Sequence, residues 1–106
     1  MPFKPGKPVH PVGGTGTAPN ATLTPAGIQI SFDSGSNRNR QTTGQVIVTN
    51  REVAQNLEIS FANGKDGTFF AIAPNTTVPF DVAVHSCRLR GAAGGTADFS
   101  IMGIVI

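Results

Sequence analysis

The stretch that decides the fold is residues 56–82, NLEISFANGKDGTFFAIAPNTTVPFDV. Apolar and polar residues alternate in three segments of this stretch, 57–61, 68–73 and 78–82. Turn-forming pairs separate the segments: Asn63-Gly64, Asp66-Gly67 and Pro74-Asn75. Alternation with period 2 is typical of half-buried strands, and the Asn-Gly and Asp-Gly pairs favour a hairpin because they tolerate positive φ. The pattern predicts a three-stranded β-meander whose apolar face needs a second layer.

Strand patterns continue on both sides of this stretch. They cover residues 26–32, 44–50, 83–90 and 96–106. The segment 83–90 changes phase, and we expect a β-bulge near His85-Ser86 to reconcile its two registers. About seven short strands, with turn signals between them and no helical periodicity, predict an all-β fold: a small antiparallel β-sandwich, with a small barrel as the alternative.

The predicted core contains the apolar residues that alternate in phase along these strands. They are Ile28, Ile30, Val46, Val48, Leu57, Ile59, Phe61, Phe70, Ile72, Phe80, Leu89, Phe99 and Ile101. The segment 44–50 is apolar on both faces around Ile47, so we expect it to be a central strand.

Residues 1–25 differ in composition from the rest of the chain. Prolines recur at every third position from Pro2 to Pro11, which is the period of a polyproline II helix, and a glycine-rich run follows. We therefore divide the chain into an extended arm, 1–25, and a β-sandwich domain, 26–106. We expect the arm to dock on a partner subunit and the sandwich to fold without residues 2–22. The predicted docking residues are Phe3, Lys4, Lys7, Val9 and Val12.

The last predicted strand is apolar on both faces. Met102, Ile104 and Ile106 share the face opposite to Phe99 and Ile101. Only one face of a strand can enter the core of a two-layer sandwich, so these three residues predict self-association, with a homotrimer as the expected state. The alternative is that the strand is central and is covered by its own domain.

Composition indicates where the protein is made and which partners it lacks. Charged residues make up 13% of the chain, against about 25% in typical soluble domains, which suits a surface partly covered by neighbours. The single cysteine, Cys87, excludes an intrachain disulfide. No segment approaches the ~20 apolar residues of a membrane span, and the N-terminus lacks a secretory apolar run. We expect a protein made in the cytoplasm, without a membrane partner.

Few residues of this sequence could take part in catalysis or bind a metal or a cofactor. His85 and Cys87 lie two positions apart, as a nucleophile pair could, but no orienting residue accompanies them, so we interpret them as a surface histidine and a structural cysteine. No zinc-ligand spacing exists, and the segment 33–37 lacks the glycine and closing glutamate of a calcium loop. The glycine runs lack the lysine of a phosphate loop. We expect no enzymatic activity, no metal and no cofactor.

The second half of the chain contains, in succession, the segments NLEISFANG, TFFAIAPNTTVPFDV and SCRLRGAAGGTADFSIMGIVI. Through these segments, residues 46–106 resemble small virion proteins of tailed bacteriophages. These segments are similar to those of capsid decoration, or cement, proteins and of related head or tail accessory domains. The resemblance implies a non-enzymatic structural role in the virion, on the capsid exterior, with the major capsid protein or other virion subunits as partners.

The leading hypothesis is therefore a phage decoration protein that binds the assembled head and stabilises it, with the arm docked on neighbouring subunits. One alternative is a tail- or fibre-associated module that binds host-surface glycans, although the chain has neither Trp nor Tyr to form an aromatic platform. Another is a nucleic-acid-binding protein that uses Lys4, Lys7, Arg38 and Arg40, although stacking aromatic residues do not accompany them.

Overall fold

The structure, a computed structural model, describes residues 10–32, 43–65 and 67–105. These residues form β-strands and no helix. The strands are β1 (His10–Ala18), β2 (Ile28–Ser31), β3 (Thr43–Asn50), β4 (Leu57–Ser60), β5 (Phe69–Ile72), β6 (Thr77–Phe80), β7 (Ser86–Gly91) and β8 (Ala97–Val105). They pair into two antiparallel sheets, a first sheet in the order β1-β8-β3-β6 and a second in the order β2-β7-β4-β5. The predicted all-β sandwich is confirmed.

The core lies between the sheets and is built from alternate residues of each strand. Val46 and Val48 of β3 and Leu57 and Ile59 of β4 are fully buried, as the alternation predicts. The other buried apolar residues are Ala18, Phe32, Ile72, Cys87, Leu89, Ala97, Phe99 and Ile101. Partly buried residues complete this layer, among them Ile28, Ile30, Phe61 and Phe80.

Phe70 is the one predicted core residue that lies at the surface, with 58% of its area exposed. Its phase is that of the core, because it pairs with the buried Ile59. However, β5 is the edge strand of the second sheet, so nothing in the described part of the chain closes over its outer side. The ring instead lies 6.4 Å from the ring of Phe80, which belongs to the edge strand of the first sheet.

The predicted meander is wrong in its third strand. β4 and β5 form the expected hairpin, with Leu57 opposite Ile72 and Ser60 opposite Phe69. β6, however, belongs to the first sheet, where Val78 lies opposite Val48 of β3. The turn after β5 therefore carries the chain across to the facing sheet. Alternation specifies which residues face the core, but it is the same in both sheets and so does not specify which sheet a strand joins.

The change in apolar alternation within residues 83–90 also arises because the chain passes from one sheet to the other. β6 ends at Phe80 in the first sheet and β7 begins at Ser86 in the second, so the residues between them connect the two sheets. The predicted bulge near His85-Ser86 is therefore replaced by a crossing between sheets. The register irregularity that the described residues do contain lies between Thr43 and Gln45, where β3 pairs with β8.

Residues 10–18 differ most from the sequence interpretation, which placed them in the arm. They form β1, which pairs with β8 from His10 opposite Val105 to Ala18 opposite Ala97. Beyond β1, the carbonyl oxygen of Pro19 accepts a 2.7 Å hydrogen bond from the N–H of Gly91. β1 carries little apolar alternation, so its place depends on main-chain pairing, which side-chain patterns do not reveal.

Candidate binding surface

The outer face of the first sheet carries an apolar row that crosses three strands. Ile47 of β3 lies opposite Met102 of β8 on one side and opposite Pro79 of β6 on the other. Met102 is 38% exposed, Pro79 is exposed and Ile47 is half-buried. Met102 points outward because its neighbours Ile101 and Gly103 are buried on the inner face. We call Met102, Ile47 and Pro79 the apolar row.

Polar residues border the apolar row on both sides. On one side the hydroxyl groups of Thr49 and Thr77 hydrogen-bond each other at 2.8 Å. On the other side the Gln45 amide donates a 3.1 Å hydrogen bond to Asp81. Ile104, opposite Gln45, extends the apolar surface along β8. An apolar centre with a polar rim is the usual anatomy of a protein-binding surface.

This surface contains part of the predicted self-association site. Met102 and Ile104 lie on it, and Ile106 lies outside the described residues. The sequence interpretation missed Ile47 and Pro79 as members of the same surface. The signal for Ile47 was present, since β3 was predicted to be apolar on both faces, but Pro79 joins the row only because β6 pairs with β3.

The outer face of the second sheet has a different chemistry. Arg90 of β7 forms a 2.6 Å ion pair with Glu58 of β4, and its guanidinium lies 3.7 Å from the centre of the Phe69 ring. Arg90 also donates to the carbonyl of Pro25, and Arg88 donates to the carbonyl of Gly27. Both arginines therefore use hydrogen-bonding capacity within their own chain, which leaves less of it for a partner.

Two hollows lie at the seams between the sheets. The first, of about 300 Å³, lies between the edges of β1 and β2 and is lined by Gly14, Thr15, Gln29, Ile30, Ser31, Phe99 and Ile101. The second, of similar volume, is lined by Phe61, Asn63, Ala83, Val84, His85 and Ser86. The first lining contains no histidine, cysteine or carboxylate, and in the second His85 and Ser86 are consecutive residues.

The structure separates His85 from Cys87. Cys87 points into the core from β7 with 2% of its area exposed, whereas the half-buried His85 precedes the strand. Burial raises the pKa of the Cys87 thiol from its ordinary value of 9.0 to about 12. Because the thiolate is the nucleophilic form, this protonated thiol is unsuited to nucleophilic chemistry at neutral pH. The environment agrees with the interpretation of Cys87 as a structural residue.

Other predicted sites fall partly beyond the described residues. Phe3, Lys4, Lys7 and Val9 of the arm lie outside them, as does the segment 33–42 with Arg38 and Arg40. Val12 belongs to β1, where its backbone lies opposite Gly103.

Within the described ranges, no group of three or more His, Cys, Asp or Glu residues could hold a metal ion. None of the described segments is a helix of the length and apolar character needed to cross a membrane. No protein-family model matches this chain, and no curated protein is detectably similar to it.

Proposed function

We propose that this protein is a non-enzymatic structural protein of a bacteriophage virion, of the capsid decoration or cement type, which binds the exterior of the assembled head and stabilises it. The observation that carries the proposal is the apolar row of Met102, Ile47 and Pro79, which polar residues border on both sides and Ile104 extends along β8. The resemblance of residues 46–106 to small virion proteins supplies the type of particle. The absence of enzymatic activity remains a prediction.

The position of the apolar row suits binding to a rigid surface. Met102 and Ile47 belong to β8 and β3, the two inner strands of the first sheet, so main-chain pairing on both sides holds them. Side chains on such strands are placed more reproducibly than side chains on loops. Ordering this surface on binding therefore costs little free energy.

The size of the apolar row indicates that one contact is not enough for tight binding. Full burial of an aliphatic side chain contributes about 1.5–3 kcal/mol, and association itself costs several kcal/mol. A second contact per copy is therefore required for stable decoration. In this proposal the part of the arm before β1 provides it, through Phe3, Lys4, Lys7 and Val9, whereas Val12, the fifth predicted docking residue, belongs to β1.

The test is co-sedimentation of the purified protein with empty heads of the phage whose genome encodes it. We expect the wild-type chain to sediment with the heads and Met102→Glu to bind at least about 10-fold more weakly, because an unpaired carboxylate would be buried at the contact. Leu23→Glu is the matched control. Leu23 is 81% exposed in a turn outside the first sheet, so this variant makes the same kind of apolar-to-acidic change off the surface.

Two results would contradict the proposal. One is a wild-type protein that does not sediment with the heads, and the other is equal binding by both variants. Binding to a glycan array with no head binding would favour the tail-associated module, with the exposed ring of Phe70 as its first candidate contact. Salt-sensitive DNA retention would favour the nucleic-acid-binding alternative.

A further inference from the structure

β1 forms a long, uncharged edge of the first sheet. It has nine residues, HPVGGTGTA, and within the described part of the chain it pairs only with β8. The other three edge strands, β2, β5 and β6, have four residues each, and β6 carries Pro79. Short strands, prolines and charged side chains are the features that protect sheet edges from pairing with other chains. β1 lacks the short length and the charged side chains.

The hydrogen bonds around Asp98 show which groups of β1 face outward. The N–H of Asp98 donates to the carboxylate of Glu52, and its carbonyl accepts from the N–H of Arg51, both at 2.9 Å. Glu52 and Arg51 follow β3, so both main-chain groups of Asp98 point toward β3 and away from β1. Thr17 lies opposite Asp98, and the two therefore form a non-hydrogen-bonded pair.

It follows that the N–H and C=O of Thr17 point away from β8, toward the free edge. Because these directions alternate along a strand, the same holds for Thr15, Gly13 and Pro11. Pro11 fits this phase, since it has no N–H to contribute to the pairing with β8. The free edge thus presents both main-chain groups of Gly13, Thr15 and Thr17.

We propose that β1 pairs antiparallel with β1 of a second copy of this chain, around a two-fold axis at Thr15. Thr15 then lies opposite its own equivalent, and Gly13 lies opposite Thr17 of the other copy. The pairs Thr15–Thr15, Gly13–Thr17 and Thr17–Gly13 exchange about six main-chain hydrogen bonds in total. The two first sheets become one continuous sheet.

The sequence of the edge favours this register and a second copy as the occupant. Moving the two-fold axis to residue 14 would place Pro11 opposite Thr17, and moving it to residue 16 would place Pro19 opposite Gly13. In either shift the two outer pairs keep one hydrogen bond instead of two, because proline has no N–H, whereas all three pairs around Thr15 keep both. With the axis at Thr15 the two prolines bracket the paired segment. The segment is uncharged, so two copies can approach without like-charge repulsion.

The dimer would also place the candidate binding surfaces of the two copies on the same side. Directly opposite residues of an antiparallel pair point to the same face of the sheet. The apolar rows of both copies would therefore lie on one surface, and each would supply the other with a second contact on a repeated target. The pairing itself does not depend on the virion role.

The decisive experiment is sedimentation equilibrium of the full chain, its Thr15→Pro variant and its Thr15→Val variant. Proline at position 15 removes an N–H that faces the free edge, and it leaves the pairing with β8 intact. Valine keeps the N–H and is the matched control. We expect a wild-type dimer, a similar dimer for Thr15→Val, and a dissociation constant raised at least about 100-fold for Thr15→Pro.

A cross-linking measurement keeps the proposal testable if the proline variant does not fold. Thr15→Cys and the loop variant Thr96→Cys are treated with a short bis-maleimide, and the buried Cys87 serves as the internal unreactive thiol. Rapid dimer formation through residue 15 alone is expected. A monomeric or trimeric wild-type mass, a folded Thr15→Pro variant that dimerises like the wild type, or equal cross-linking at residues 15 and 96 would overturn the proposal.

Discussion

At the scale of single residues, Gly103 shows how tightly the core closes at one end. A Cβ atom at this position would lie 2.5 Å from Cδ1 of Phe32 and 2.9 Å from Cγ2 of Thr43. Both neighbours are fully buried, and the Thr43 hydroxyl is held by a 2.7 Å hydrogen bond to the carbonyl of Val82. Neither side chain can withdraw without disturbing other contacts, so glycine is required here by the available space.

We therefore expect Gly103→Ala to lower the free energy of unfolding by ~1–3 kcal/mol through overpacking. Gly14→Ala in β1 is the matched control, because a Cβ there would meet no atom within 4 Å. The control should leave stability unchanged or raise it by ~0.4–1 kcal/mol, since alanine restricts the unfolded chain. Urea unfolding of both variants measures the difference. Equal effects at the two positions would show that the contact with Phe32 is not limiting.

The buried thiol of Cys87 predicts how the stability of the folded chain depends on pH. Burial raises the pKa of its thiol to about 12 from an ordinary 9.0, so the folded chain holds this proton more tightly than the unfolded chain does. The resulting stability is fully present below pH 9 and is lost as the pH rises from 9 toward 12. Unfolding curves recorded below and within this window should show a decline that is smaller in Cys87→Ala, which has no thiol. Rapid alkylation of the native thiol at neutral pH would contradict the burial on which the prediction depends.

At the scale of elements, β1 is the strand whose observed role differs most from its predicted one. It covers the outer edge of β8 along nine register pairs and contributes the fully buried Ala18. Without β1, β8 would become an edge strand, and Phe99 and Ile101 would lose their cover on that side. The segment 10–18 is therefore part of the sandwich, in contrast to the expectation that residues 2–22 can be removed harmlessly.

Two truncations test this role. Deletion of residues 2–9 keeps β1, and we expect the melting transition to remain cooperative. Deletion of residues 2–22 removes β1, and we expect it to cost more than about 3 kcal/mol, a large share of the stability of a small domain. Thermal unfolding followed by circular dichroism distinguishes the two. If the shorter chain melts like the full chain, the pairing of β1 with β8 contributes little to stability.

At the scale of the whole molecule, the two outer faces of the sandwich have opposite chemistry. The first sheet presents the apolar row across β8, β3 and the edge strand β6, whereas in the second sheet Arg90 contacts Glu58, Phe69 and Pro25. In the proposed role, the first sheet lies on the shell and the second faces the solvent. Pairing through β1 preserves this polarity, because both copies keep their apolar rows on one side.

The sequence by itself determined the all-β class, the positions of most strands and nearly all of the core. Val46, Val48, Leu57 and Ile59 were predicted to face inward, and they do, because alternation along a strand is a local property set by backbone geometry. The β4–β5 hairpin was equally predictable. Asn63 and Gly64, which follow β4, both have the positive φ that the Asn-Gly pair predicted.

Only the tertiary structure decided which strands are neighbours. β6 pairs in the first sheet and not in the predicted meander, and β1, which was predicted to be part of the arm, also belongs to the first sheet. Phe70 has the predicted phase but lies exposed on an edge strand. The apolar row exists only because Ile47 lies between Met102 and Pro79. Such neighbours are brought together by pairing between distant segments, and both sheets of a sandwich offer the same inward and outward alternation. A local pattern therefore gives the direction of a side chain but not the strand that lies beside it.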